Sequence, residues 1–244
     1  MKVLILFLVI SLISSSPFFS QENLFAFDVP TDSISTDTLE MWATEYYVHQ
    51  MRSNGNVPFL DANNDTLGYY GDTCDFCTAC LEGTVFIADG KGTIVLNYDT
   101  VAAKPLINCR KCARFKNSSL KVESWGRVRW KMSTGYGEGV EGYKLVPYRT
   151  IAVDPTNIPY GTIVYIPQAK GVSIPVNDSV TLLHDGYFFA GDTGGAIKKN
   201  HIDVFTGTDD SHPFEFVKSN SKKTFELYLI EDEAIRASLL VLHI

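Results

Sequence analysis

Residues 186–207 read G-Y-F-F-A-G-D-T-G-G-A-I-K-K-N-H-I-D-V-F-T-G, and this stretch decides the fold. Tyr187, Phe188, Phe189 and Ala190 suit a buried strand that runs into Asp192. Thr193-Gly194-Gly195 then suits a tight turn whose backbone can approach a ligand closely. In the second run, His201-Ile202-Asp203-Val204-Phe205, side chains alternate between faces. Ile202 and Val204 are expected to enter a core, leaving His201, Asp203 and Phe205 on the opposite face. Aspartate is a poor strand residue, so Asp203 inside such a run asks for a chemical reason. The plainer alternative is that Asp192 caps the turn and Asp203 is solvated.

Working outward, Tyr148 to Asp154 forms a strand closed by Asp154-Pro155. Pro159-Tyr160-Gly161 is turn chemistry, and Gly161 to Ile166 is a further strand. Leu39 to Gln50 holds a first core strand, and Phe225 to Ile230 a last one with Glu226 and Tyr228 on one face. Gly83 to Ile87 and Thr93 to Leu96 are strands around the turn Asp89-Gly90-Lys91-Gly92, and Asn54 to Gly71 is a loop or hairpin. Asp232 to Ile244 is a short helix or a terminal strand. Many short strands, Gly/Pro turns and almost no helix-length periodicity predict an all-β barrel or sandwich. Gly83 to Ile87 echoes Gly161 to Ile166, an echo that two related halves would produce and that chance would too.

The chain has 244 residues, a net charge of −7 and 45% hydrophobic residues. That composition supports a packed core, and an acidic chain without basic runs argues against nucleic acid and anionic membrane surfaces as partners. Residues 1–20 read as a secretory signal: Lys2, an apolar Val3 to Ile13, then small residues. The apolar stretch is short of the roughly 20 residues that span a bilayer, so no transmembrane span is expected in the mature chain. Residues 21–38 read as a linker, and 39–244 as the barrel with an accessory region at about 50–140.

Cys74, Cys77 and Cys80 form C-x2-C-x2-C, and Cys109 and Cys112 form C-x2-C. Two such pairs suit a four-cysteine zinc site, whereas export favours disulfides with one cysteine over. The spacing leaves both open.

Ile151 to Pro167 (I-A-V-D-P-T-N-I-P-Y-G-T-I-V-Y-I-P) together with Ala190 to Gly207 resembles the 3D, or three-aspartate, domain of the MltA-type lytic transglycosylases, best over 148–207. The resemblance implies a six-stranded double-psi β-barrel. It implies an exported enzyme of the periplasm or cell envelope, with outer-membrane association carried by the resemblance alone. The substrate would be peptidoglycan glycan strands, and no cofactor is required. The three aspartates are Asp154, Asp192 and Asp203. The family turn usually reads G-A-I-K-G, and here Lys199 stands in the last position.

A lytic transglycosylase breaks the MurNAc-β-1,4-GlcNAc bond without adding water, so a single carboxyl can serve as acid and then base. Asp203 is the expected acid/base, with Asp192 as the neighbour that raises its pKa. Asp154 is expected to orient the loop or bind a sugar hydroxyl. Thr193, Gly194 and Gly195 are expected to offer backbone donors, with His201 and Tyr187 contacting substrate. Tyr136, Tyr46 and Trp42 are further stacking candidates, and Glu45 a possible second acid. The competing readings are a two-carboxylate glycoside hydrolase and a non-catalytic glycan-binding or wall-loosening barrel.

Overall fold

The computed structural model describes residues 25–30, 35–177, 180–208 and 212–244. The expected secretory signal lies outside the described residues. In chain order the elements are β1 (Ser35–Tyr46), β2 (His49–Arg52), β3 (Val57–Leu60), β4 (Thr66–Gly71), α1 (Thr73–Glu82), β5 (Thr84–Ala88), β6 (Thr93–Val101) and β7 (Val128–Ser133). There follow β8 (Thr150–Ala152), β9 (Ile163–Tyr165), β10 (Ser173–Asn177), β11 (Val180–Leu183), β12 (Tyr187–Asp192), β13 (His201–Phe205), β14 (Phe225–Ile230) and α2 (Glu233–Leu242).

Six strands close a barrel in the order β1-β13-β8-β12-β9-β14. The pairs β1/β13 and β8/β12 are parallel and the rest antiparallel, the mixed connectivity of a double-psi barrel. Alternation puts Ile202 and Val204 in the interior with Ile151, Val164, Phe188, Ala190 and Leu227. On β14, Glu226 and Tyr228 share the outer face and hydrogen-bond at 3.0 Å. Complete burial of so many branched and aromatic side chains supplies the barrel's main stabilisation, about 1.5–3 kcal/mol for each.

A second unit, inserted between β1 and β8, contains the four-stranded sheet β2-β5-β6-β7, the hairpin β3-β4 and α1. Its core gathers Phe59, Phe76, Val85, Ile87, Leu96 and Trp130 around the five cysteines. Asp72 caps α1 by accepting from the N–H groups of Cys74 and Asp75, and Gly83, with φ 82°, ends it in the left-handed region. Cys74 bonds to Cys112 and Cys77 to Cys109, leaving Cys80 as the free thiol. The choice between disulfide and zinc is thereby resolved, and no cluster suited to a metal occurs among the described residues.

Four sequence expectations change. Cysteines three residues apart had no periodic apolar partner run, yet caps at both ends and two cross-links make 73–82 a helix. The strand expected over Leu39 to Gln50 is split, because the chain leaves the barrel at Tyr46 and β2 opens the second sheet. The echo between Gly83 to Ile87 and Gly161 to Ile166 joins no related halves: β5 pairs with β2 and β6, whereas β9 lies in the barrel. The linker at 21–38 is in part structure, since Ser35 and Thr38 pair with β14. Upstream, Phe25 covers the Arg149 guanidinium at 4.2 Å, and the Phe27 N–H donates to Asp185.

Candidate functional site

The register of β1 against β13 builds one face. Trp42 stands beside His201, Thr44 beside Asp203 and Tyr46 beside Phe205. Three rows of contact follow. The rings of Trp42 and His201 stack at 3.6 Å and 7°. The Thr44 hydroxyl donates to Asp203 Oδ1 at 2.6 Å and lies 2.9 Å from His201 Nε2. Tyr46 packs on Phe205 at 5.0 Å, and its hydroxyl donates to Asp192 Oδ2 at 2.7 Å.

Asp192 arrives from the other side. Both Asp203 on β13 and Asp192 on β12 pair with Ala152 of β8, the strand between them. Two inter-strand spacings set their backbones about 10 Å apart. A register shift between Ala190 and Asp192 turns the Asp192 side chain out of the strand's own alternation. Gly139 makes room for it, because a Cβ there would collide with the Gly191 carbonyl and crowd the Asp192 carboxylate.

Asp192 and Asp203 are half-buried residues whose carboxyls lie deep in protein mass. Burial pushes Asp203 up to about 8, helped by the charges of Glu82 and Asp192, while the Thr44 hydrogen bond works the other way. Burial likewise lifts Asp192 to about 6, opposed by the hydrogen bonds from Tyr46 and the Thr193 N–H. Glu82, the last residue of α1, is the third acid of this set. Its carboxylate accepts from the Tyr47 N–H at 3.4 Å, and burial raises it to about 7. Sequence reasoning missed Glu82 and Gly139. Each reaches the site only through tertiary packing, and neither sits in a motif.

The other expected site residues separate into groups. Asp154 lies just past the end of β8, where its Oδ1 accepts from the Thr156 N–H and hydroxyl and its Oδ2 from the Lys199 N–H. Those bonds, the Lys199 contact foremost, hold its carboxyl below the usual range. Asp154 therefore ties the end of β8 to the 193–200 turn. Lys199 itself adopts φ 59°, the left-handed conformation in which glycine would cost nothing.

Thr193 follows Asp192 directly, but its N–H donates to Asp192 Oδ1 and its hydroxyl to the Val153 carbonyl, so it is not an open donor. Gly194 is half-buried and Gly195 exposed on the same turn. Tyr187 is a correction. It is 0% exposed at the other end of β12, packed on Tyr165 and Phe27, with its hydroxyl donating to the Asp28 carbonyl. Strand direction separates it from Asp192 by the length of β12. Tyr136 packs between Phe205 and Phe86. Glu45 alternates away from Thr44 and pairs with His212, off the Asp203 face. Beyond Phe86, a shallow groove of about 300 Å³ is lined by Gln50, Arg52, Phe86, Ala88 and Thr93.

Residues 149–215 match the family model described as the 3D domain. No curated protein matches the chain. Among solved structures, E. coli MltA with bound chitohexaose aligns at 15% identity over 79% of this chain and 72% of that one, with a TM-score of 0.53. MltA from Neisseria gonorrhoeae aligns at 13% identity over 80% and 74%, with a TM-score of 0.51. These likenesses establish the fold: a 3D-domain barrel of MltA type with a second unit beside it.

Proposed function

We propose, from the premise that this chain carries a 3D domain on an MltA-like barrel, that it is a peptidoglycan lytic transglycosylase cleaving MurNAc-β-1,4-GlcNAc bonds with Asp203 as acid/base. The observation that carries the reading is Asp203 itself. It is a desolvated carboxyl on a half-buried residue, with two further acids near it and a pKa of about 8, so at neutral pH it holds a proton to give.

The step balances on one carboxyl. Asp203 donates its proton to the glycosidic oxygen as the C1–O bond breaks, and the GlcNAc leaves as the alcohol. The resulting carboxylate takes the proton from the sugar's C6 hydroxyl as the O6–C1 bond forms. The product is a 1,6-anhydroMurNAc end, and Asp203 is protonated again. Asp192, held by Tyr46, supplies negative charge that keeps that proton in place and faces the positive charge developing at C1. Trp42, Tyr136 and Phe86 offer aromatic surface for sugar rings along the line toward the groove at Gln50 and Arg52.

Export is part of the reading. The two disulfides suit an oxidising compartment, as the leader-like start of the sequence does. No helix among the described residues is long and apolar enough to cross a membrane. The chitohexaose bound to the E. coli relative supports a glycan as ligand.

Mass spectrometry of peptidoglycan after incubation with the protein tests the activity. Muropeptides ending in 1,6-anhydroMurNAc are expected, reduced about 10²–10⁴-fold by Asp203→Asn. Reducing ends would instead make it a hydrolase, and binding without products a glycan-binding barrel.

A further inference from the structure

The open face of the second unit's sheet takes no part in the proton transfer, yet it carries a groove with a chemistry of its own. In β2 and β5, Met51 and Ile87 turn into the core beneath, so Gln50, Arg52, Phe86 and Ala88 share the other face. The register sets Arg52 beside Ala88 and Ala88 beside Thr93, a row across three strands with its smallest side chain in the middle. That methyl between two longer neighbours makes the depression of about 300 Å³. Its walls are the Arg52 guanidinium, the Gln50 amide and the Thr93 hydroxyl, and its floor is Ala88 with the Phe86 ring at one end.

Among the described residues, the polar ends of Gln50, Arg52 and Thr93 have no hydrogen bond or ion pair, and no acid lines the groove. Arg52 stands apart from the other arginines in this. Arg110, Arg149 and Arg236 lie within 4.0 Å of carboxylates, and Arg114, Arg127 and Arg129 donate to oxygens of the protein. In a chain of net charge −7, a guanidinium kept clear of the protein's own acids and set over an apolar floor suits a ligand carboxylate. Its planar fork grips such a group with two hydrogen bonds. The groove also continues the Asp203 face. Phe86 stacks on Tyr136 at 5.8 Å, Tyr136 meets Phe205 at 5.9 Å, and Phe205 stands two residues from Asp203 on β13. It therefore begins about 20 Å from Asp203. A stem peptide of about five residues, at about 3.5 Å each, extends about 17 Å from the MurNAc lactyl group that bears it.

We propose that the groove at Arg52 and Ala88 is the subsite for the peptide carried by MurNAc, with Arg52 gripping a peptide carboxylate over the Ala88 floor. The inference rests on peptidoglycan as the substrate and names the part of it that the second unit selects, strands bearing peptides over stripped ones.

Binding decides it without turnover. The probes are a soluble disaccharide–tetrapeptide, the same disaccharide without peptide, and the disaccharide–tetrapeptide with its carboxylates amidated. Isothermal titration of the full protein should give the first an affinity about tenfold above the other two. Arg52→Gln should erase that preference, and Arg52→Lys should keep part of it, having the charge without the fork. Ala88→Leu fills the depression from an exposed strand position and should erase the preference with the arginine intact. Equal affinity for the three ligands, or binding of none, overturns the proposal, as does a preference that survives Arg52→Gln or Ala88→Leu. Inorganic phosphate competing as strongly as the peptide at equal concentration also overturns it, leaving a general anion site. Should the protein make no anhydro ends at all, the transglycosylase reading fails while the peptide preference still decides this one.

Discussion

Asp185 and Asp203 are two aspartates whose carboxyls lie deep in one barrel's protein mass, and their pKa values move in opposite directions. Asp185 precedes β12 and faces Arg149, whose guanidinium grips it with two hydrogen bonds of 2.7 and 2.6 Å. Burial alone would push Asp185 up, but the Arg149 hydrogen bonds and charge outweigh it and hold the carboxyl below its ordinary value. Asp203 meets the same burial with a threonine hydroxyl and two other acids, so it rises to about 8. Depth in the protein does not set a carboxyl's charge; its nearest partner does. One arrangement locks the barrel, and the other stores a proton.

The strongest way to break the contrast is to remove the cation. Arg149→Met should cost about 3–5 kcal/mol by leaving Asp185 buried and unpaired, measured by urea unfolding. Arg149→Met combined with Asp185→Leu should recover most of that loss. Next comes the second unit, which carries Glu82 to the site. Removing the Cys77–Cys109 bridge with Cys77→Ala and Cys109→Ala should cost about 2–4 kcal/mol. If it loosens α1, it should also move the Asp203 titration to lower pH, because Glu82 then recedes.

The pH dependence of stability sharpens the comparison. The folded-state pKa of Asp203 lies above its unfolded value, so between about 4 and 8 the native state holds a proton that the unfolded chain has released. Its contribution to stability therefore falls as pH rises through that window. Asp203→Asn should gain about 1–2 kcal/mol at pH 9, the residue's partial exposure trimming the full linkage, and almost nothing near pH 3. Asp185 has the opposite sign: its contribution is present above the unfolded value and is lost as pH falls through the depressed folded value. Activity should decline as pH rises through about 8, where Asp203 loses its proton. The smallest effect is Lys199→Gly, expected to raise stability by about 1 kcal/mol by relieving the left-handed backbone, with the N–H bond to Asp154 kept.

The strand pattern of 148–207 was legible because alternation in a half-buried strand leaves a period-two trace. Ile202 and Val204 turned inward and Asp203 outward as that trace required. Tyr187 misled because an aromatic in the same run reads alike whether it faces a glycan or a buried tyrosine cluster. The helix at 73–82 was hidden because its apolar face is short, Phe76, Cys77 and Ala79, and the caps and cross-links complete it.

By itself the sequence determined the barrel's core strands, the pair of turns around Asp192 and Asp203, and the chemical types available to the site. Tertiary structure alone decided which residues meet. It paired the cysteines, placed Asp192 and Asp203 on either side of Ala152, brought Glu82 in from the helix of the second unit, and set Thr44 between His201 and Asp203. The division has one cause. Alternation and turn chemistry act over a few residues and leave their mark in local order, whereas a pKa and a hydrogen-bond chain depend on groups that are neighbours only after the barrel closes.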